Sequence, residues 1–502
     1  MKNLCLFLLI GYGILASDLL FAQQKPNVII IYADDLGYGD LSCYGATKLH
    51  TPNLDILASQ GLRFTDAHCT SATCTPSRYG LMTGQYPWRK EGTGVLPGDA
   101  ALIVPTNRIT LPKVFKKAGY ETGIVGKWHL GLGEAVEKEW NGELKPGPVE
   151  TGFDYSFIFP ATADRVPTVY VENHRVVALD SMDPIAVSYR QKIGNDPTGK
   201  ENPELLKMKA SPGQGHNQTI VNGIGRIGYM TGGKMARWAD EELSFTFLSK
   251  AEAFIEKHQS APFFLYFALT EPHVPRMPAT IFKGKSGLGF RGDAILQLDW
   301  TVGEIMKKLK ALGLTENTMI VFSSDNGPVL DDGYQDGAVT QLNGHTPWGV
   351  LRGGKYSGFE AGTRVPCIIS WPGTVKPGVS NAVLSQVDLL ASFANMLHVQ
   401  VPDGEAFDSQ NMLNAFLGKS GKGRELLVEQ GGPLSIRKGD WKYIEPHKGA
   451  FKAELVNIEI GNMAGPQLYN LKEDIGEQHN LAEQYPEKVK ELAHLLELEK
   501  KK

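Results

Sequence analysis

Asn27-Val-Ile-Ile-Ile-Tyr-Ala33 runs without polar interruption straight into Asp34-Asp35-Leu36-Gly37. A continuous β-branched run with no polar alternation predicts a strand buried on both faces, as at the centre of a parallel sheet. Residues 122–126, 262–268 and 318–323 repeat the pattern, the last as Thr318-Met-Ile-Val-Phe-Ser323. Between them lie helical segments at 53–61, 111–119 and 293–312. The last of these carries Ile295, Leu298, Val302, Ile305, Met306 and Leu309, mostly at spacings of three and four. Strands alternating with helices predict an α/β fold: a large, doubly wound mixed sheet flanked by helices.

The periodicity fails between about 184 and 233, a Gly/Pro/polar stretch that reads as a loop insertion over the site. After Leu397 the pattern changes again. Short strands at 425–430 and 441–445 and a charged helix at 486–498 predict a smaller C-terminal α+β domain. Length alone allows about three domains. The segment reading gives two, residues 23–421 and 422–502, behind an N-terminal signal at 1–22.

The 502 residues are 42% hydrophobic and 21% charged, which excludes collagen, long coiled coil and wholesale disorder. With 51 Lys+Arg against 55 Asp+Glu there is no generalised basic footprint, and no nucleic-acid partner is expected. Met1-Lys2-Asn3, a short apolar run from Leu4 to Leu15 and small residues near Ala22 predict a secretory signal peptide. The run is shorter than the ~20 residues that span a bilayer, so an exported, periplasmic or extracellular product without stable membrane insertion is expected. Five cysteines are too few for a disulfide scaffold. Cys5 leaves with the signal, and Cys43, Cys69 and Cys367 could hold at most one bridge.

In open α/β sheets, ligands gather at the carboxyl ends of the strands. The unusual residues of this chain follow its strands: Asp34 and Asp35 the first, Lys127 and His129 the second, His273 the third, Asp325 and Asn326 the fourth. A carboxylate pair at such a place is costly unless a cation compensates it. Asp34, Asp35, Asp325 and Asn326 offer only oxygen, which suits Ca²⁺ or Mg²⁺ better than Zn²⁺.

The sharpest motif is Cys74-Thr75-Pro76-Ser77-Arg78-Tyr79-Gly80-Leu81-Met82-Thr83-Gly84. It resembles the signature of the formylglycine-dependent type I sulfatases, members of the alkaline phosphatase superfamily. Gly119-Tyr-Glu-Thr-Gly-Ile-Val-Gly-Lys-Trp-His129 is similar to the second signature of that family. The block from Arg352 to Pro366 resembles a third, with Ala361 where Gly is usual, and Leu468-Tyr-Asn-Leu471 resembles its C-terminal pattern.

The resemblance implies an alkaline-phosphatase-like sheet domain, one Ca²⁺ held by Asp34, Asp35, Asp325, Asn326 and the modified Cys74, and a formylglycine made from Cys74 by a formylglycine-generating enzyme. In that family the aldehyde hydrate attacks sulfur, and its second hydroxyl lets the adduct collapse and expel sulfate. It further implies that Arg78 and Lys127 steady the hydrate and that His129 takes the proton driving sulfate expulsion. His273 would protonate the leaving sugar oxygen, and Lys355 with Lys127 would neutralise sulfate oxygens. Thr162 is the nearest hydroxyl to the position where relatives use a serine.

Sugar-binding candidates are Asp164, Arg165, His174, Asn343 and His345, in loops following or flanking the matched motifs. The expected substrate is a sulfated carbohydrate, a terminal galactose or N-acetylgalactosamine sulfate of host glycans or algal galactans, with O3, O4 and O6 esters open. Two other readings compete: a formylglycine-dependent phosphodiester or phosphonate hydrolase, and a glycan-binding protein on a decayed sulfatase fold.

Overall fold

The computed structural model describes residues 25–135 and 138–502. The expected signal peptide at 1–22 lies outside the described residues. The main sheet has ten strands: β1 (Asn27–Ala33), β2 (Leu62–Phe64), β3 (Glu121–Lys127), β4 (Tyr155–Phe159), β5 (Val171–Glu172), β6 (Arg175–Val176), β7 (Phe263–Ala268), β8 (Thr318–Ser324), β9 (Cys367–Ser370) and β10 (Gly378–Ser380). Their spatial order is β10-β2-β9-β8-β1-β7-β3-β4-β5-β6. The central strands β8, β1, β7, β3 and β4 are parallel, while β9 and β5 run antiparallel to their inner neighbours.

The unbroken hydrophobicity of β1 follows from its two buried faces. Val28, Ile30 and Tyr32 enter one core and Ile29, Ile31 and Ala33 the other. The first core is covered by α2 (Cys74–Thr83), α3 (Leu111–Lys117) and α6 (Leu389–Met396). The second is covered by α1 (Pro52–Ser59), α4 (Leu243–Lys257) and α5 (Gly289–Ala311).

Register decides where the site forms. Tyr32 of β1 lies beside Ala268 of β7 and Ser323 of β8, and Ala268 lies beside Gly126 of β3. The four strands therefore end at one level, where Lys127, the last residue of β3, converges with Asp34, Leu269 and Asp325, the residues that follow β1, β7 and β8. Gly126 is obligatory there: at φ +108° a Cβ would stand 1.8 Å from the Ala268 carbonyl oxygen.

The C-terminal portion is a separate antiparallel sheet of β11 (Leu426–Gln430), β12 (Leu434–Lys438), β13 (Trp441–Ile444) and β14 (Gln467–Asn470). Helix α7 (Pro486–Lys501) lays Leu492 and Leu496 on Val428, Ile436, Tyr443 and Leu468. Among the described residues no helix is long and apolar enough to cross a membrane. Cys43, Cys69, Cys74 and Cys367 are all free thiols, so the three expected structural cysteines form no bridge with one another.

Candidate active site

Helix α2 starts at Cys74 with Thr73 as its N-cap, and every residue of the helix is buried. One turn along it, Arg78 reaches back over the strand ends. Its Nε donates to Asp325 Oδ2 at 2.9 Å, and its Nη1 to the Tyr266 hydroxyl at 3.2 Å. Lys127 Nζ donates to both oxygens of Asp34 at 2.7 Å and stands 3.8 Å from Asp325. Lys355 Nζ binds Asp35 Oδ2 at 2.9 Å and Asp332 Oδ2 at 2.7 Å. Asp35 adopts φ 63° and His129 φ 55°, left-handed conformations that cost roughly 1–2 kcal/mol each and hold both side chains at the strand-end level.

Four carboxylates (Asp34, Asp35, Asp325, Asp332) thus face three side-chain cations (Arg78, Lys127, Lys355). Burial pushes the Asp34 carboxyl well above its ordinary range; Lys127 pulls it back, and Asp325 and Asp35 push it further up. The acidic set is electrostatically under-compensated.

Asn326 shows what would complete it. Its Nδ2 donates to Asp35 Oδ1 at 2.7 Å and to the Gly327 carbonyl at 2.9 Å, whereas its buried Oδ1 has no hydrogen-bond partner. A buried acceptor left unpaired costs about 1–3 kcal/mol, and an amide oxygen beside carboxylates is the donor set of a hard cation. The residues present therefore fit Ca²⁺, or a divalent ion of like chemistry, held by Asp34, Asp35, Asp325 and Asn326.

The two histidines have defined tautomeric settings. His129 Nε2 donates to the Leu96 carbonyl at 2.9 Å, leaving its buried Nδ1 unpaired as an acceptor. His273 Nδ1 donates to the Val274 carbonyl at 2.6 Å, while its Nε2 lies 3.8 Å from Asp35. Burial drives both imidazoles well below their ordinary pKa. Lys127 adds to this for His129, and Lys355 with Lys127 for His273. The Cys74 thiol is pushed up by burial, against the pull of Lys127 and Lys355. A buried protonated thiol is a weak nucleophile, so the unmodified side chain is poorly suited to attack.

Of the substrate-binding candidates, Thr162, Asp164 and Arg165 form one group beside the site, with Asp164 in electrostatic reach of His273 and Arg165 in reach of Cys74. Arg165 Nη1 donates to Thr162 Oγ1 at 2.6 Å and to both Asp164 oxygens at 3.0 Å. The other three are not brought to the site. His174 sits in the turn between β5 and β6; because β5 runs antiparallel to β4, that turn lies at the amino end of the parallel strands, where His174 contacts Glu150 at 2.9 Å. Asn343 is exposed and donates to the Gly287 carbonyl at 2.6 Å. His345 is buried 2.9 Å from Asp40, whose carboxylate also holds Arg291.

Asp332 and His216 are site residues that the sequence reading missed. Asp332 lies in an Asp-Asp-Gly turn that reads as solvated. His216 lies in the aperiodic insertion, where a single histidine gives no periodic signal.

Residues 26–399 match the family model described as Sulfatase. The chain is 56% identical over 477 residues to an N-acetylgalactosamine-6-O-sulfatase of Bacteroides thetaiotaomicron, covering 95% of this chain and 93% of that protein. It is 31% identical over 483 residues to human arylsulfatase A, covering 92% and 84% of the two chains. A solved structure described under the metabolism of multiple glycosaminoglycans by Bacteroides thetaiotaomicron superposes with a TM-score of 0.94 at 56% identity. It covers 95% of this chain and all of that one (100%).

Proposed function

The chain belongs to the sulfatase family of sulfuric ester hydrolases, and on that premise we propose that it removes the 6-O-sulfate of N-acetylgalactosamine or a galactose-type sugar. The charge of the cluster is the observation that carries the reading. Four carboxylates against three cations leave a deficit of one positive charge. A divalent ion turns that deficit into an excess of one, which a sulfate monoester, a monoanion, neutralises and a phosphate monoester dianion overshoots.

When bound, Ca²⁺ supplies Lewis-acid polarisation, and formylglycine at position 74, installed by a formylglycine-generating enzyme, supplies the oxygen nucleophile that a buried thiol cannot. The remaining work falls to the chain's own side chains. Lys127 and Lys355, already bridged to the carboxylates, hold the sulfate oxygens by charge-assisted hydrogen bonds. Arg78 fixes Asp325 and the base of helix α2. His273 Nε2, its only nitrogen not committed to the backbone, is the atom that passes a proton to the departing sugar oxygen once the ring has taken up a second proton, since Nδ1–H stays on the Val274 carbonyl. His129 Nδ1, the unpaired acceptor, takes up the proton released when sulfate leaves. The N-terminal signal directs the product to the periplasm or beyond, where sulfated glycans are met.

The test is sulfate release from a panel of monosulfated N-acetylgalactosamine, galactose and N-acetylglucosamine. The 6-O-sulfate of N-acetylgalactosamine should be turned over fastest. Activity confined to 4-O-esters, to N-sulfates or to aryl phosphates would overturn the reading.

A further inference from the structure

The insertion between 184 and 233 is stapled to the site on two sides. Ile227 N–H donates to the Asp164 carbonyl at 2.8 Å, and Val166 N–H returns a bond to Ile227 at 3.1 Å. On the other side, Ser211 N–H binds the Gly333 carbonyl at 2.8 Å, next to Asp332. Between the staples stands His216, only 6% exposed, packed edge-on against Tyr334 with ring centroids 4.8 Å apart. Its Nε2 lies 3.0 Å from Asp164 Oδ2. Its Nδ1 is buried without a partner against Gly333, where even a Cβ would come within 2.1 Å of it. That face admits no ligand, so His216 acts only through Nε2–H, donated to Asp164.

Asp164 passes this constraint on. Both its oxygens accept from Arg165 Nη1. Arg165 Nε and Nη2 donate to no protein atom among the described residues, and the side chain is 17% exposed where that of Asp164 is 3%. A guanidinium fixed at one nitrogen and open along its opposite edge presents parallel donors in a rigid plane. Its charge is already compensated by Asp164 at contact distance, so the free edge favours neutral oxygen acceptors over a second anion.

Resting on the reading of the site as a sugar 6-sulfatase, we infer that His216 sets its sugar specificity. The insertion histidine fixes Asp164, which holds Arg165 so that its free edge takes ring-hydroxyl oxygens of the sulfated sugar. His216 and Asp164 are positioning residues, and Arg165 is the contact.

Binding to the Cys74→Ser protein, which lacks the nucleophile precursor, tests this by calorimetry with N-acetylgalactosamine 6-sulfate and with inorganic sulfate as probes. His216→Ala should weaken the sugar sulfate about tenfold or more while leaving inorganic sulfate within about twofold. His216→Gln, whose amide N–H can replace Nε2–H, should restore most of the loss. Arg165→Gln should show the same split, and it keeps the test open should His216→Ala fail to fold. Parallel loss for both probes, or a His216→Gln protein as weak as His216→Ala, would overturn the inference. Failure of the Cys74→Ser parent to bind the sugar sulfate would instead overturn the underlying reading, and the inference with it.

Discussion

Two buried ionic clusters of similar make-up lie in this chain. At the strand ends, Asp34, Asp35, Asp325 and Asp332 meet Arg78, Lys127 and Lys355. At the seam between the main sheet and the C-terminal sheet, Asp66, Glu360, Glu429 and Glu477 meet His68, Arg364, Arg437 and Lys442. The seam balances four against four once His68 is protonated. Its geometry requires that charge, because both ring nitrogens face carboxylates, Asp66 at 2.7 Å and Glu429 at 2.8 Å, and each must donate. Seam oxygens without a hydrogen bond still face cations: Glu360 Oε2 lies 2.9 Å from Arg364, and Glu477 Oε1 lies 3.2 Å from Lys442. Asn326 Oδ1 at the strand ends is a neutral amide acceptor, buried with no hydrogen-bond partner. Asp66, His68 and Glu360 also offer convergent ligand atoms, but the guanidinium and ammonium groups already fill the place of an ion. Burial of charge therefore does not mark function. An unfinished charge balance does.

That contrast can be broken at either cluster. Cys74→Ala should have the largest effect, a loss of about 10⁴-fold or more in sulfate release with an unchanged melting temperature. Retention of activity within tenfold, or about 1.4 kcal/mol of barrier, would refute the nucleophile assignment. Lys355→Ala removes a cation from the deficient cluster and should cost roughly 10²–10³-fold in kcat/KM. Lys442→Met makes the matching cut at the seam. It should destabilise the fold by about 3–5 kcal/mol in a denaturant titration while leaving turnover per folded molecule unchanged. If the two lysine variants gave the same pattern, the distinction between the clusters would fail.

The smallest effect is pH-dependent. Burial opposes the His68 charge, but Glu429 and Asp66 outweigh it and raise the imidazole pKa. A raised pKa gives stability that is full below the ordinary histidine value and lost as pH climbs through the raised one. Glu477, pushed up to about 7 by burial, with Lys442 pulling down and Glu360 pushing up, acts in the same direction. His68→Gln should therefore cost more stability at pH 6 than at pH 9, by about 1 kcal/mol. A deficit constant across that range would show that His68 is not charged in the fold.

Much of the strand-end cluster was legible in the sequence because a parallel sheet converts chain order into spatial convergence. A residue just past an apolar run lands at the carboxyl edge, as Asp34, Lys127, His273 and Asp325 do. The same rule misleads where a strand reverses. His174 follows a strand, but β5 runs antiparallel to β4, so the turn falls at the opposite edge. His345 looked like a site residue and serves instead to tie its loop to Asp40. The short strands β2, β9 and β10 at one side of the sheet, three or four residues each, leave no periodic trace. His216 and Asp332 act through contacts formed only when the insertion and the 331–334 turn fold onto the site, which no local pattern encodes.

The most direct test of the unfinished balance is release of sulfate from N-acetylgalactosamine 6-sulfate before and after removal of divalent ions with a chelator, followed by return of Ca²⁺. The account predicts that chelation abolishes release, that Ca²⁺ restores it, and that Asn326→Leu resists restoration. Full activity in the stripped protein, with metal content shown to be below one ion per ten chains (a threshold of roughly 10% occupancy, far under the single site proposed), would contradict it.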